Sequence, residues 1–213
     1  MTTLLLVRHG LSQANQEHFF AGQMDVPLLD TGVLQAQKTA EYLVSHYHID
    51  RIYGSDLQRA FQTGKAAADL LHMEITPDAQ LREIYAGEWE GMHFDDLMVR
   101  FAEPYRVWRE DIGNAHCTGG ESVAEMGARI QAELTRIVKE NDGKTVLVAT
   151  HATPIRVMQC LVEYGDLNRM KDIPWVSNAS FSVLNYTDGA WKFGPVSQDA
   201  HLAGLKTELP KNV

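Results

Sequence analysis

The chain has 213 residues, 45% hydrophobic and 22% charged, and its 19 basic and 28 acidic side chains give a formal net charge of −9. That length supports one domain with a substantial core, and the net negative charge disfavours nucleic acid and anionic membrane as general partners, though not an anionic small molecule met by a local cation cluster. The two cysteines, Cys117 and Cys160, have no CxxC spacing and are too few for a disulfide framework, which points to a reducing compartment.

Residues 4–7, "LLLV", form a short apolar run that meets Arg8, His9 and Gly10 at once. It is too short for a signal-peptide core. No stretch approaches the roughly 18 to 20 apolar residues of a bilayer span, so a soluble, cytoplasmic protein is expected. The run instead reads as a buried strand. After the turn "LLDTG", Val33, Ala36, Ala40, Leu43 and Val44 fall on one helical face. A second strand is expected at 49–53, followed by Gly54, Ser55 and Asp56 and a helix with Ala60, Gly64, Ala67, Leu70 and Leu71 on its apolar face. Residues 85–118 are irregular, with aromatics among acidic residues and Arg100, Arg106 and Arg109, and read as short helices inserted beside the site as a lid or specificity segment.

Beyond the insert, "GGES" precedes a stripe of Val123, Met126, Ile130, Leu134, Ile137 and Val138, with Ser122 and Glu125 spaced as a capping box. Residues 145–150, "TVLVAT", read as a strand that runs into His151, and Thr153 as N-cap with Pro154 behind it predicts a helix to about Tyr164. A strand at 181–186 leads to an Asp188-Gly189 turn, so the final strand is expected to run antiparallel at a sheet edge, where 181–186 offers a route to a homodimer. Nothing after about Leu202 carries a strong signal. Continuous apolar strands separated by long helices predict an α/β fold with a largely parallel sheet covered on both faces.

In such a sheet, ligands bind outside the carboxyl ends of the strands. Three strand exits here deliver Arg8, His9, Arg59 and His151 to one edge. A cation such as Arg59 in the first turn of a helix is mildly unfavourable, by about 0.3 to 1 kcal/mol, unless an anion sits nearby. The helix start after His151 offers backbone N–H groups to the same anion, and Gly10 allows a sharp turn and a close approach. Together these features describe a pocket for a tetrahedral dianion. Taken singly, each of these residues, and Glu83, is more often an ordinary structural or surface group.

The segments "LLLVRHGLSQAN", "GQMDVPLLDTGVLQAQ", "IYGSDLQRAFQTGKAA", "LREIYAGEWEG", "GGESVAEM" and "VLVATHATPIR", in this order, resemble the signature blocks of the histidine phosphatase superfamily, phosphoglycerate-mutase-like branch. "NASFSVLNY" and "DAHL" resemble its usual ending. The resemblance implies a three-layer α/β/α sandwich around a mostly parallel sheet with one antiparallel edge strand, formed by a single domain over 1–213. It implies His9 as the nucleophile, Arg8, Arg59 and His151 around the phosphoryl oxygens, and Glu83 as proton donor. Asn15, Ser12 and Gly10 add to phosphate binding, and Gly22 and Gln23 lie at the entrance. The activity implied is metal-independent hydrolysis of small phosphomonoesters, with inorganic phosphate released and no cofactor. The alternatives are a 2,3-bisphosphoglycerate-dependent phosphoglycerate mutase, disfavoured by "LREIYAGEWEG" and the short insert, and a non-catalytic phospholigand-binding protein. Ala152 stands where the family commonly has glycine. If that position needs positive φ it is strained; if it only lends its N–H, alanine serves.

Overall fold

The computed structural model describes residues 1–207. Its elements are β1 (Thr2–Arg8), α1 (Gln13–Glu17), α2 (Asp30–His46), β2 (Arg51–Gly54), α3 (Gln58–Leu71), β3 (Ile75–Pro77), α4 (Phe94–Arg100), α5 (Ala102–Glu110), α6 (Val123–Glu140), β4 (Thr145–Thr150), α7 (Ala152–Tyr164), β5 (Phe181–Thr187) and β6 (Ala190–Phe193). The sheet order is β3-β2-β4-β1-β5-β6. β1, β2, β3 and β4 pair in parallel, and β5 and β6 extend the sheet antiparallel. The mostly parallel α/β architecture is as expected, but two antiparallel strands, not one, close that side. β5 is therefore flanked by β1 and β6, and the proposed dimer route through 181–186 is closed, because its backbone groups are already paired within the chain.

Alternation along β1 divides the core in two. Leu4 and Leu6 face a cluster with α6, α7 and the insert, whereas Leu5 and Val7 face α2 and α3. All four are at most 2% exposed, which explains why the strand reads as an unbroken apolar run. The α6 stripe is fully buried, and the Ser122–Glu125 capping box forms. The Asp188-Gly189 hairpin also forms, both residues at positive φ (51° and 85°), as a tight turn between right-twisted strands requires.

Two further expectations are corrected, and one strand, β3, is not among those expected. α7 begins at Ala152 with His151 as N-cap, so Thr153 and Pro154 lie inside its first turn. β3 is only three residues and ends in proline, leaving no periodicity to read. Val33 and Leu70, expected inward, are 41% and 50% exposed and line a groove between α2 and α3. The inner face of α2 is instead built from Gly32, Gln35, Ala36, Thr39, Ala40 and Leu43.

Candidate active site

The exits of β1 and β2 are both stitched to β4, since the His9 N–H donates to the Thr150 carbonyl at 3.0 Å and the Ser55 N–H donates to the Ala149 carbonyl at 2.9 Å. Arg8, His9, Arg59 and Glu83 thereby share one pocket of about 90 Å³ with Ser12, Asn15, Gly22, Ala152 and Thr153. His151 lies behind that wall, fully buried, with its ring 5.3 Å from the His9 ring in an edge-on arrangement. Gly10 and Gln23 do not line the pocket. A Cβ on Gly10 would stand 2.4 Å from the Gly32 carbonyl oxygen, and its φ is not positive, so the glycine is explained by close approach to the start of α2 and not by the turn or ligand contact expected of it. Gln23 braces the loop that carries Glu83, its Nε2 donating to the Glu83 carbonyl at 3.1 Å.

His9 Nδ1 lies 2.7 Å from the Gly10 carbonyl oxygen. A carbonyl can only accept, so Nδ1 carries the proton and the lone pair of the neutral ring is on Nε2. Burial, then Arg59 and Arg8, push the His9 pKa well below its ordinary value. His151 is lowered likewise, by burial first and then by Arg59. Its Nε2 pairs with Ser55 Oγ at 2.9 Å, while its buried Nδ1 has no partner among the described residues. Both arginines are brought down to about 10 by burial, Glu83 opposing the shift, and they remain charged at neutral pH. Arg59 is held by the carbonyls of Gly22 and Met24, each at 2.8 Å. One Arg8 Nη donates to the Val176 carbonyl, and its Nε is left unpaired among the described residues. Here two buried cations face two neutral imidazoles.

The remaining polar groups are prearranged as well. Asn15 Oδ1 accepts from the Ser12 N–H, Ser12 Oγ and Asn178 Nδ2 at 3.0 to 3.1 Å, which saturates the oxygen and leaves the amide NH2 as the donor Asn15 can offer the pocket it lines. Glu83 accepts from the Ile84 N–H at 2.9 Å and the Thr153 N–H at 3.3 Å, so a carboxylate occupies the start of α7, where the free N–H groups were expected to meet phosphate. Ala152 does not have positive φ, so alanine is unstrained there. Arg129 on α6 grips the loop that carries Glu83, donating to the carbonyls of Gln80, Arg82 and Glu83 at 2.7 to 3.2 Å and forming paired bonds to Glu121 at 2.9 and 3.0 Å. Sequence reasoning missed Arg129, Ser55, Asn178 and Trp175. Most of their partners lie tens of residues away in sequence, and no local pattern marks them.

A model of the histidine phosphatase superfamily, branch 1, matches residues 4–197. The chain is 33% identical over 213 residues to phosphoserine phosphatase 1 of Hydrogenobacter thermophilus, covering 100% of both proteins. It is 33% identical over 148 residues to the adenosylcobalamin/alpha-ribazole phosphatase of Salmonella typhimurium, covering 70% of this chain and 73% of that protein. Among solved structures, Bacillus stearothermophilus YhfR shares the fold with a TM-score of 0.90 at 24% identity, covering 95% of this chain and 100% of that one. A family match that runs from β1 past β6, on a fold whose strand ends gather the Arg-His pair, the second arginine and the second histidine, places this chain in the histidine phosphatase superfamily, branch 1.

Proposed function

We propose that the protein is a metal-independent phosphatase that hydrolyses small phosphomonoesters through a phosphohistidine on His9, within a single domain whose 85–118 segment frames the leaving group. The observation that carries this reading is the His9 tautomer. Its Nδ1–H is committed to the Gly10 carbonyl, and its unprotonated Nε2 lies in a pocket shared with Arg8, Arg59 and Glu83. The Nε2 lone pair forms an N–P bond as the ester P–O bond breaks, and the Glu83 carboxyl gives its proton to the departing alkoxide. A water then attacks phosphorus, Glu83 takes back a proton, the N–P bond breaks, and inorganic phosphate leaves. Arg8 and Arg59 supply the fixed positive charge that stabilises the equatorial oxygens, with His151 and the Asn15 amide as further donors. The named phosphatases among the relatives support hydrolysis over the mutase alternative.

The role of Glu83 is tested by leaving-group dependence. Glu83→Gln is expected to lower kcat on alkyl phosphates by about 10² to 10⁴, and far less on an ester of an acidic phenol, which leaves without a proton. Equal losses on both ester types contradict the assignment.

A further inference from the structure

We propose that the leaving group accepted by this pocket is a flat, uncharged ring carrying a hydrogen-bond acceptor, not a carboxylate-bearing alcohol; this rests on the hydrolytic reading above. Five aromatic rings line the pocket: Phe19, Phe20, Phe94, Trp108 and Trp175. Phe20 and Trp108 are buried, with their rings edge-on at 5.0 Å, while Phe19, Phe94 and Trp175 remain half-buried. Rings that only sealed the insert to the body would be covered by that packing, as Trp89 is at 0% exposure. Trp108 also buries an indole N–H that finds no acceptor among the described residues, an uncomfortable state that a ligand acceptor relieves.

Charge points the same way. The only cations on the described lining are Arg8 and Arg59, which belong to the phosphate cradle. The insert arginines are elsewhere: Arg106 is paired with Glu103 and Glu110, Arg100 stands 5.5 Å over the Phe101 ring, and Arg109 points an Nη at Met98 sulfur. Arg156 is buried outside the lining, 3.9 Å from the Trp175 ring; its Nε and one Nη bond to the Ile173 and Met170 carbonyls, and its other Nη has no partner among the described residues. On the described lining no cation beyond the phosphate cradle is left for a carboxylate.

The test compares kcat/KM for benzyl, pyridin-3-ylmethyl and n-propyl phosphate with phosphoserine, all esters of primary alcohols. The two ring esters are expected to exceed propyl phosphate and phosphoserine by about tenfold or more. Trp108→Phe is expected to lower the pyridylmethyl-to-benzyl ratio severalfold, and Phe94→Leu, at the half-exposed mouth, to lower the benzyl-to-propyl ratio about threefold even where Trp108→Phe folds poorly. Phosphoserine as the best ester, or ratios unmoved by both variants, overturns the proposal while leaving hydrolysis intact. Turnover of none of the four, with no phosphoenzyme, sinks the phosphatase reading and this one with it.

Discussion

A neutral imidazole that donates through Nδ1 to a backbone carbonyl has its basic nitrogen fixed, and in His9 that bond is formed within its own dipeptide. The tautomer is therefore set before any ligand arrives. The lowered pKa values of His9 and His151 have a stability consequence. Below about pH 6.5 the unfolded chain takes up protons that the folded chain refuses, so their contribution is complete above that pH and is lost as pH falls toward the folded values. Denaturant unfolding at pH 7.5 and pH 5.5 should show wild type losing up to about 1.4 kcal/mol per pH unit for each of the two histidines. The double variant His9→Gln, His151→Gln should lose correspondingly less, and equal losses would show that these rings are not the responsible groups. Gly10→Ala places a methyl against the backbone of α2, which cannot move as a side-chain tip can. Destabilisation of several kcal/mol is expected, read by the same unfolding experiment.

Helix α6 shows what an element reveals before its structure is known. Its stripe and capping box lie within one stretch of chain, so periodicity and spacing expose them directly. Leu134→Ala, removing a side chain 2% exposed, should cost about 2 to 5 kcal/mol. The loop that carries Glu83 is the opposite case. Its shape depends on Arg129, 46 residues later, and on Glu121, and nothing local in "LREIYAGEWEG" announces either. Arg129→Met should lower kcat on alkyl phosphates more than kcat on aryl phosphates, because the loosened group is the proposed proton donor. An equal loss on both would mark Arg129 as merely structural. The same logic explains the misplaced start of α7: Thr-Pro is a good helix-start signal, but the chain becomes helical as soon as β4 ends at Thr150.

Across the whole molecule, the strand order brings distant exits together. β4 lies between β1 and β2, so His9, His151 and the Ser55-to-Arg59 turn emerge side by side although they are separated by up to 142 positions in sequence. Strand ends bearing Arg-His and His were readable because charge directly after a buried run is chemically conspicuous. The aromatic wall was not readable, because its five rings come from four separate segments that only folding unites. The assembled site is costly: burial lowers both arginines to about 10, on the order of 3 kcal/mol each against the charged form. A bound dianion offsets that cost. Inorganic phosphate or vanadate at about 100 times its Kd should stabilise the protein by about 2.7 kcal/mol, raising Tm by roughly 5 to 10 °C for a chain of this size. Arg8→Met should abolish most of that shift, and an undiminished shift would place the anion elsewhere.

The most direct measurement is rapid quenching of the enzyme with a ³²P-labelled substrate, followed by peptide mapping of the trapped label. The account predicts a phosphoryl adduct, labile to acid and stable to alkali, on the peptide that contains His9, and its loss in His9→Ala. An adduct that persists in that variant, or that maps to another residue, would contradict it.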